Sequence, residues 1–157
     1  MKEDTQINRR AETDAVRIQA ERSQFQEHSV PIYLTSSFVF EDAEDMRASF
    51  AEEIDRNIYS RYANPNSTEF IDKVCAMEGA EAGFAFASGM AAVFSTFAAL
   101  LEGGDHILAS QSIFGSTHSL FALVFPKWGI KHDYFKIDKL DAIDSLVTPR
   151  TKMIYAE

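Results

Sequence analysis

The stretch Gly83-Phe84-Ala85-Phe86-Ala87-Ser88-Gly89-Met90-Ala91-Ala92 decides the fold of this chain. Its apolar residues 83–87 predict a strand, the Ser-Gly pair predicts a tight turn, and the apolar residues that follow predict a helix over 89–102. Ser88 is a suitable N-cap, and the N–H groups of Gly89 and Met90 would then lack partners inside the helix. Such a helix start attracts anions such as phosphate, although a Ser-Gly pair is also an ordinary cap.

Downstream of this stretch, predicted strands and helices alternate regularly. Turns with glycine separate further strands at 106–110, 131–135 and 151–157 from helices over 116–127 and 139–146. This alternation predicts an α/β fold with a mainly parallel sheet covered on both faces. Because the helix over 89–102 is apolar almost all round, we expect it to be buried on both sides.

Upstream, the pattern is more polar and less regular. A short helix over 14–22, an extended segment over 30–40 and a helix over 43–54 precede a loop over 57–66. Asn66 or Ser67 could then cap a helix that ends at Gly79. We therefore expect residues 1–58 to form an N-terminal arm and linker segments, and residues 59–157 to form an incomplete α/β domain.

Composition excludes several classes of function. The net charge of −9 and the lack of a Lys/Arg cluster argue against a nucleic-acid surface. The charged N-terminus and the single cysteine, Cys75, predict a cytoplasmic protein without an internal disulfide. The apolar segment over 83–101 is better explained as strand, turn and helix than as a membrane span. The four histidines lack ligand spacing, so we expect no metal site.

Three further features lie near the ends of predicted strands or in loops. Arg61, in Tyr59-Ser60-Arg61-Tyr62, could bind an anion, or it could belong to an ordinary surface loop. Phe114 follows a strand at the edge where ligands bind in open α/β sheets, so it could stack on a flat cofactor or pack in the core. Glu157 would lie at that same edge. Cys75 is expected to be an inert buried thiol, and Lys152 to reach solvent.

The motifs together resemble one known family. From Pro31-Ile32-Tyr33 to Glu157, the chain is similar to the fold-type I pyridoxal-phosphate enzymes of cysteine and methionine metabolism, which include cystathionine γ-synthase, methionine γ-lyase and the homoserine-ester sulfhydrylases. The motifs that carry the resemblance, in family order and spacing, are Tyr59-Ser60-Arg61-Tyr62-Ala63-Asn64-Pro65, Glu78-Gly79-Ala80-Glu81, Ala87-Ser88-Gly89-Met90-Ala91-Ala92 and Gly103-Gly104-Asp105-His106.

The resemblance implies a site for pyridoxal 5'-phosphate shared between subunits of a homodimer or homotetramer. Ser88, Gly89 and Met90 would bind the cofactor phosphate, and Tyr59 and Arg61 would reach that phosphate in the neighbouring subunit. Phe114 would stack on the pyridine ring where the family more often has tyrosine, which removes a hydroxyl that can take part in proton transfer. Phe114 and Tyr59 would also contact the amino-acid substrate.

The run Ile113-Phe114-Gly115-Ser116-Thr117 most resembles the O-succinylhomoserine sulfhydrylase branch. We therefore expect a transferase of methionine biosynthesis or transsulfuration that replaces the γ-substituent of an O-acylhomoserine with sulfide or a thiol. A γ-lyase acting on methionine or cystathionine is the alternative, since it would share every visible residue.

The resemblance also implies residues that the chain lacks. The family's Schiff-base lysine, in a Ser-x-Thr-Lys run, and the aspartate that pairs with the pyridine nitrogen would both fall beyond Glu157. We therefore expect the chain to be the first part of a longer enzyme and inactive alone, with no catalytic residue of its own. A further alternative is a non-catalytic fragment that keeps only the phosphate-binding and dimerising surfaces.

Overall fold

The structure, a computed structural model, describes residues 10–157, and these residues divide into two units, 10–85 and 86–157. The predicted boundary between the N-terminal arm and the α/β domain at residue 58 remains a prediction. The division of the chain into two compact units does not test it. None of the helices within residues 10–157 has both the length and the apolar character needed to cross a bilayer.

The first unit contains three helices and a long extended segment. The helices are α1 (Ala11–Arg17), α2 (Ala43–Phe50) and α3 (Pro65–Glu78). The predicted helix over 14–22 is wrong in its bounds: α1 begins earlier and the chain is already extended at Ile18. Two residues further along, the amide of Ala20 donates a hydrogen bond to Glu69 Oε2 of α3 at 3.1 Å. This tertiary contact takes the place of the backbone hydrogen bond that the Ala20 amide would make in a helix.

The ends of α2 and α3 follow from their capping residues. Helix α2 stops at Phe50, short of the predicted residue 54, because Glu52 takes a left-handed backbone conformation with φ of 58°. Helix α3 is capped by Asn64, and not by Asn66 or Ser67 as predicted. Pro65 explains the difference, since proline suits the first helical position and holds the residue before it extended. Gly79 ends α3 with φ of 65°, as the sequence predicts.

The second unit is an α/β layer built on three parallel strands. Helix α4 (Gly89–Leu100) leads to β1 (His106–Ser110), and β2 (Lys131–Phe135) and β3 (Thr151–Tyr155) flank β1 in the order β2-β1-β3. Every residue of β1 is buried. Between β1 and β2, one continuous helical stretch passes from α5 (Gly115–Ser119) through a π-helical turn (Leu120–Val124) to a 3-10 turn (Phe125–Trp128).

The core of this unit lies between one face of the sheet and the helices. Ile107 and Ala109 of β1 pack there with Phe97 of α4 and with the aromatic residues of the helical stretch. The last connection, from β2 to β3, consists of a short 3-10 turn (Leu140–Ala142) and α6 (Ile143–Leu146). The predicted parallel α/β sheet is therefore confirmed.

The strand predicted over 83–87 is not formed. Within residues 10–157 these residues make no backbone hydrogen bonds, and Phe84 is 87% exposed. A strand is stabilised by a neighbour that pairs with it, and an apolar alternating pattern alone does not supply that neighbour.

Helix α4 is less buried than predicted. It keeps only Phe97 fully buried, while Leu100 is 64% exposed. The sheet and the helical stretch cover one side of α4, so its overall apolar character does not correspond to burial all round.

Candidate functional site

The start of α4 forms a helix cap with two unpartnered amides. The Ser88 side chain accepts a hydrogen bond from the amide of Ala91 at 3.2 Å, which confirms Ser88 as the N-cap. The amides of Gly89 and Met90 donate to no other group within residues 10–157. A Cβ built on Gly89 would meet nothing within 4 Å, so the space beside these amides is open. The positive end of a twelve-residue helix thus faces open space.

The topology of the second unit places this helix start at the carboxyl edge of the sheet, where β1 to β3 end. Helix α4 packs along β1 through Phe97 and then turns at residues 101–105 into the start of β1. Because α4 therefore runs antiparallel to β1, its N-terminus lies at the end where β1 finishes. Helix α4 also contacts α5, which begins five residues after β1. Ligands of open α/β sheets bind at this edge.

Phe114 lies at the same edge and is not a core residue. It immediately precedes α5 and its side chain is 62% exposed. The alternative that Phe114 packs in the core is therefore wrong. An exposed aromatic ring beside an anion-binding helix start is suited to covering a flat ring that carries a phosphate.

Glu157 joins the ends of β1 and β3. Its carboxylate accepts hydrogen bonds from the amide of Phe114, from the Thr117 hydroxyl at 3.3 Å and from the Tyr155 hydroxyl at 2.6 Å. The Phe114 amide and then the Tyr155 hydroxyl lower the pKa of the Glu157 carboxyl below its usual range. Burial, together with the neighbouring Glu157 carboxylate, raises the pKa of the Tyr155 hydroxyl. From sequence, Glu157 is expected at this edge, but its partners are not visible.

In the first unit, Arg61 presents a guanidinium that pairs with no carboxylate of residues 10–157. Its Cζ lies 5.1 Å from the centroid of the Tyr59 ring and 5.5 Å from that of Tyr62. No carboxylate within residues 10–157 lies within ion-pair distance of Arg61, and the side chain is exposed. An exposed guanidinium held over aromatic rings is available to an anion such as phosphate.

The loop that carries Arg61 is fixed by the extended segment over 30–40. Ser37 pairs with Tyr59 in an isolated antiparallel bridge, and the amide of Ser60 donates to Ser36 O at 2.8 Å. The Asn66 side chain accepts from the Tyr33 amide and donates to Pro31 O, both at 2.8 Å. The sequence suggests Asn66 only as a candidate helix cap, and its bidentate contact with the extended segment could not be found without the structure.

A cavity of the second unit lies at the opposite, amino edge of the sheet. It has a volume of about 890 Å³ and is lined mainly by the residues that begin the three strands. There the buried His106 ring contacts Thr151 Oγ1 at 2.7 Å and Asp133 Oδ2 at 3.2 Å. The predicted site residues do not line this cavity.

Two other sequence-based expectations concern isolated residues. Cys75 is only partly buried, beside Gly83, while Lys152 is exposed as predicted. Within residues 10–157, no group of three or more His, Cys, Asp or Glu side chains is arranged to hold a metal ion.

These features define a class of protein: an α/β protein whose sheet carries, at its carboxyl edge, an open helix start and an exposed aromatic ring. The particular family follows from comparison with known proteins. Residues 12–157 match the model of the Cys/Met metabolism PLP-dependent enzymes, and the chain belongs to that family. Pyridoxal phosphate is the cofactor of this family, and the open helix start and the exposed ring both fit a phosphate attached to a flat ring.

Three relatives illustrate the similarity. The chain is 42% identical to an O-succinylhomoserine sulfhydrylase of Pseudomonas aeruginosa, over 93% of this chain and 36% of the relative. It is 33% identical to an L-methionine gamma-lyase of Fusobacterium nucleatum, over 82% of this chain and 33% of that relative.

The third relative is a solved structure from Campylobacter jejuni, assigned as an O-acetylhomoserine (thiol)-lyase. It superimposes with a TM-score of 0.87 at 33% identity, over 94% of this chain and 36% of that one. The Campylobacter structure contains a pyridoxyl-lysine 5'-monophosphate group. The chain thus spans about a third of the length of the relatives that it matches.

Proposed function

We propose that this chain provides part of the cofactor site of a pyridoxal-phosphate enzyme that replaces the γ-substituent of an O-acylhomoserine with sulfide or a thiol. The observation that carries the proposal is the start of α4, where two amides without a partner among residues 10–157 face open space at the carboxyl edge of the sheet. The similarity to the Pseudomonas O-succinylhomoserine sulfhydrylase supports this reaction.

The residues of the second unit have distinct roles in this proposal. The amides of Gly89 and Met90 donate to the cofactor phosphate, and the Ser88 cap holds that helix start in place. The Phe114 ring covers the flat face of the cofactor and contacts the substrate. When bound, the cofactor acts as an electron sink for bonds at the substrate carbon atoms.

The residues of the first unit act on a second copy of the protein. We propose that Arg61 and Tyr59 bind the cofactor phosphate of the neighbouring subunit, and that Tyr59 also contacts the substrate there. The active enzyme is then a homodimer or a homotetramer with shared sites. We propose the cytoplasm as its location, in keeping with the single cysteine.

The lysine that the family resemblance implies is not among these residues. The printed sequence contains no Ser-x-Thr-Lys run. We propose that this lysine and the aspartate for the pyridine nitrogen come from sequence outside these 157 residues, and that the chain alone is inactive. An imine absorbance band that survives dialysis of the 157-residue chain would contradict this part of the proposal.

A γ-lyase is the second candidate, favoured by the similarity to the Fusobacterium methionine gamma-lyase. The two activities differ in their products. Sulfide-dependent consumption of O-succinylhomoserine supports γ-replacement, whereas release of a 2-oxo acid and ammonia from methionine or cystathionine supports the lyase. A protein that binds the cofactor but performs neither reaction would match the remaining alternative, a non-catalytic fragment that keeps only the phosphate-binding and dimerising surfaces.

The experiment that tests the site is replacement of Arg61 by alanine in the purified protein, with the dissociation constant for pyridoxal 5'-phosphate measured by equilibrium dialysis. Loss of a charge-assisted contact is expected to weaken binding roughly tenfold to a hundredfold. Arg22→Ala is the matched control, since Arg22 is also exposed and makes no ion pair within residues 10–157. Equal affinities of Arg61→Ala and wild type would show that this loop does not bind the phosphate.

A further inference from the structure

Glu157 is the point at which two loops of the carboxyl edge meet. It lies two residues after the end of β3, whereas its partners Phe114 and Thr117 belong to the segment that follows β1. The Oε2 atom of Glu157 accepts a hydrogen bond from the Phe114 amide, and Oε1 accepts hydrogen bonds from the hydroxyls of Thr117 and Tyr155. A single side chain therefore links the two strand ends across the sheet edge.

The partners of Glu157 are themselves held in place. Thr117 is fully buried, and the Tyr155 ring packs edge-on against Phe97 with ring centroids 5.1 Å apart. These fixed donors favour one position of the carboxylate. Because bonds to an ionised acceptor are stronger than neutral ones, the Phe114 amide is held more firmly than an ordinary loop amide.

Apart from its bond to Glu157, the Phe114 backbone makes one hydrogen bond within residues 10–157: its carbonyl accepts from the His118 amide at 3.0 Å. Its side chain is mostly exposed, and no side chain caps α5 at this residue. The backbone at Phe114 is extended, with φ of −58° and ψ of 139°, immediately before the helix begins. The helix fixes the carbonyl side of Phe114, and the bond to Glu157 fixes its amide side, so both bonds set the direction in which the ring leaves the backbone.

We propose that Glu157 is a positioning residue that acts through Phe114, by fixing the backbone from which the aromatic ring projects over the cofactor. This inference rests on the proposed function, because only a bound cofactor gives the orientation of the ring a role. Glu157 itself touches neither cofactor nor substrate in this proposal.

Two measurements test the inference in the purified enzyme that also contains the sequence outside these 157 residues. First, hydrogen exchange of the Phe114 amide is expected to be roughly tenfold faster in Glu157→Ala than in wild type. Second, the dissociation constant for pyridoxal 5'-phosphate is measured for Glu157→Ala, Phe114→Ala and the double variant. If Glu157 acts through Phe114, both single variants bind the cofactor more weakly, and the double variant binds no more weakly than Phe114→Ala.

The controls separate this role from general stability and from the proposed function. Asp138→Ala removes an exposed carboxylate that accepts no hydrogen bond within residues 10–157, and it should change neither measurement. If Glu157→Ala does not fold, Thr117→Val removes one donor and is expected to give smaller changes in the same direction. Unchanged exchange at Phe114, or additive losses of affinity, would overturn the inference alone. Absence of saturable cofactor binding by wild type would overturn the proposed function, and the inference with it.

Discussion

At the residue scale, His132 shows how packing changes the chemistry of one side chain. Its ring lies between Phe121 and Tyr134, with centroids 5.9 Å and 5.1 Å away. Burial lowers the pKa of His132 below its ordinary value of 6.5, and neighbouring Asp133 only partly opposes this. The folded state therefore favours the neutral His132 ring, whereas His132 in the unfolded chain binds a proton more readily.

This difference predicts a pH dependence of stability. Since the unfolded state binds more protons below the ordinary pKa of 6.5, the free energy of unfolding should fall as pH drops from about 7 toward the lower folded value. His132→Phe should reduce this loss, measured by urea unfolding at a series of pH values. His28→Gln changes an exposed histidine and should keep the wild-type dependence. The same slope in His132→Phe would mean that other groups cause the acid sensitivity.

Other residues show which local features the sequence could predict. The Ser88 cap and the left-handed Gly79 depend on a few neighbouring residues, and both were predictable. The contacts of Asn66 with Pro31 and Tyr33 join residues more than thirty positions apart, and no local pattern indicates them. The roles proposed for Arg61, Met90 and the other site residues remain predictions.

At the element scale, α4 stabilises the second unit mainly through one side chain. Phe97 is 1% exposed and contacts three aromatic rings, those of Phe121, Phe125 and Tyr155. The apolar sequence of α4 predicts a buried helix, but it does not indicate which face is covered. Only the packing of α4 against β1 and the helical stretch determines that Phe97 lies on the buried face.

Phe97→Ala is therefore expected to lower the free energy of unfolding by about 3–5 kcal/mol, because it removes a buried ring and leaves a cavity. Leu100→Ala on the same helix should cost no more than about 0.5 kcal/mol, since Leu100 is largely exposed. Chemical denaturation followed by circular dichroism measures both. Similar losses for the two variants would show that the exposed face of α4 is covered in solution.

At the scale of the whole molecule, the described residues leave apolar surface and strand edges open. In the sheet order β2-β1-β3, the outer edges of β2 and β3 pair with no strand within residues 10–157. Ile154 of β3 is 54% exposed, and Leu100 of α4 is more so. Open edges with apolar side chains favour association between chains.

We therefore expect the purified 157-residue chain to associate as its concentration rises, as measured by light scattering after size-exclusion chromatography. Ile154→Lys should shift the population toward the monomer, because a charged residue on an edge strand opposes pairing. Ile137→Lys is the control, since Ile137 is equally exposed but lies outside the strands. A stable wild-type monomer at high concentration would contradict this expectation.

The sequence by itself determined the features that arise from short-range interactions. These are the alternation of helices and strands after residue 88, the capped helix start and the turn at residues 103–105, because caps, turns and apolar periodicity act within a few residues. Only the tertiary structure decided which strands pair, why residues 83–87 form none, and how Glu157 reaches Phe114. Those outcomes depend on partners that lie far away in sequence. The capped turn at Ser88 depends on both: local residues form it, and the packing of α4 against β1 places it at the edge where the strands end.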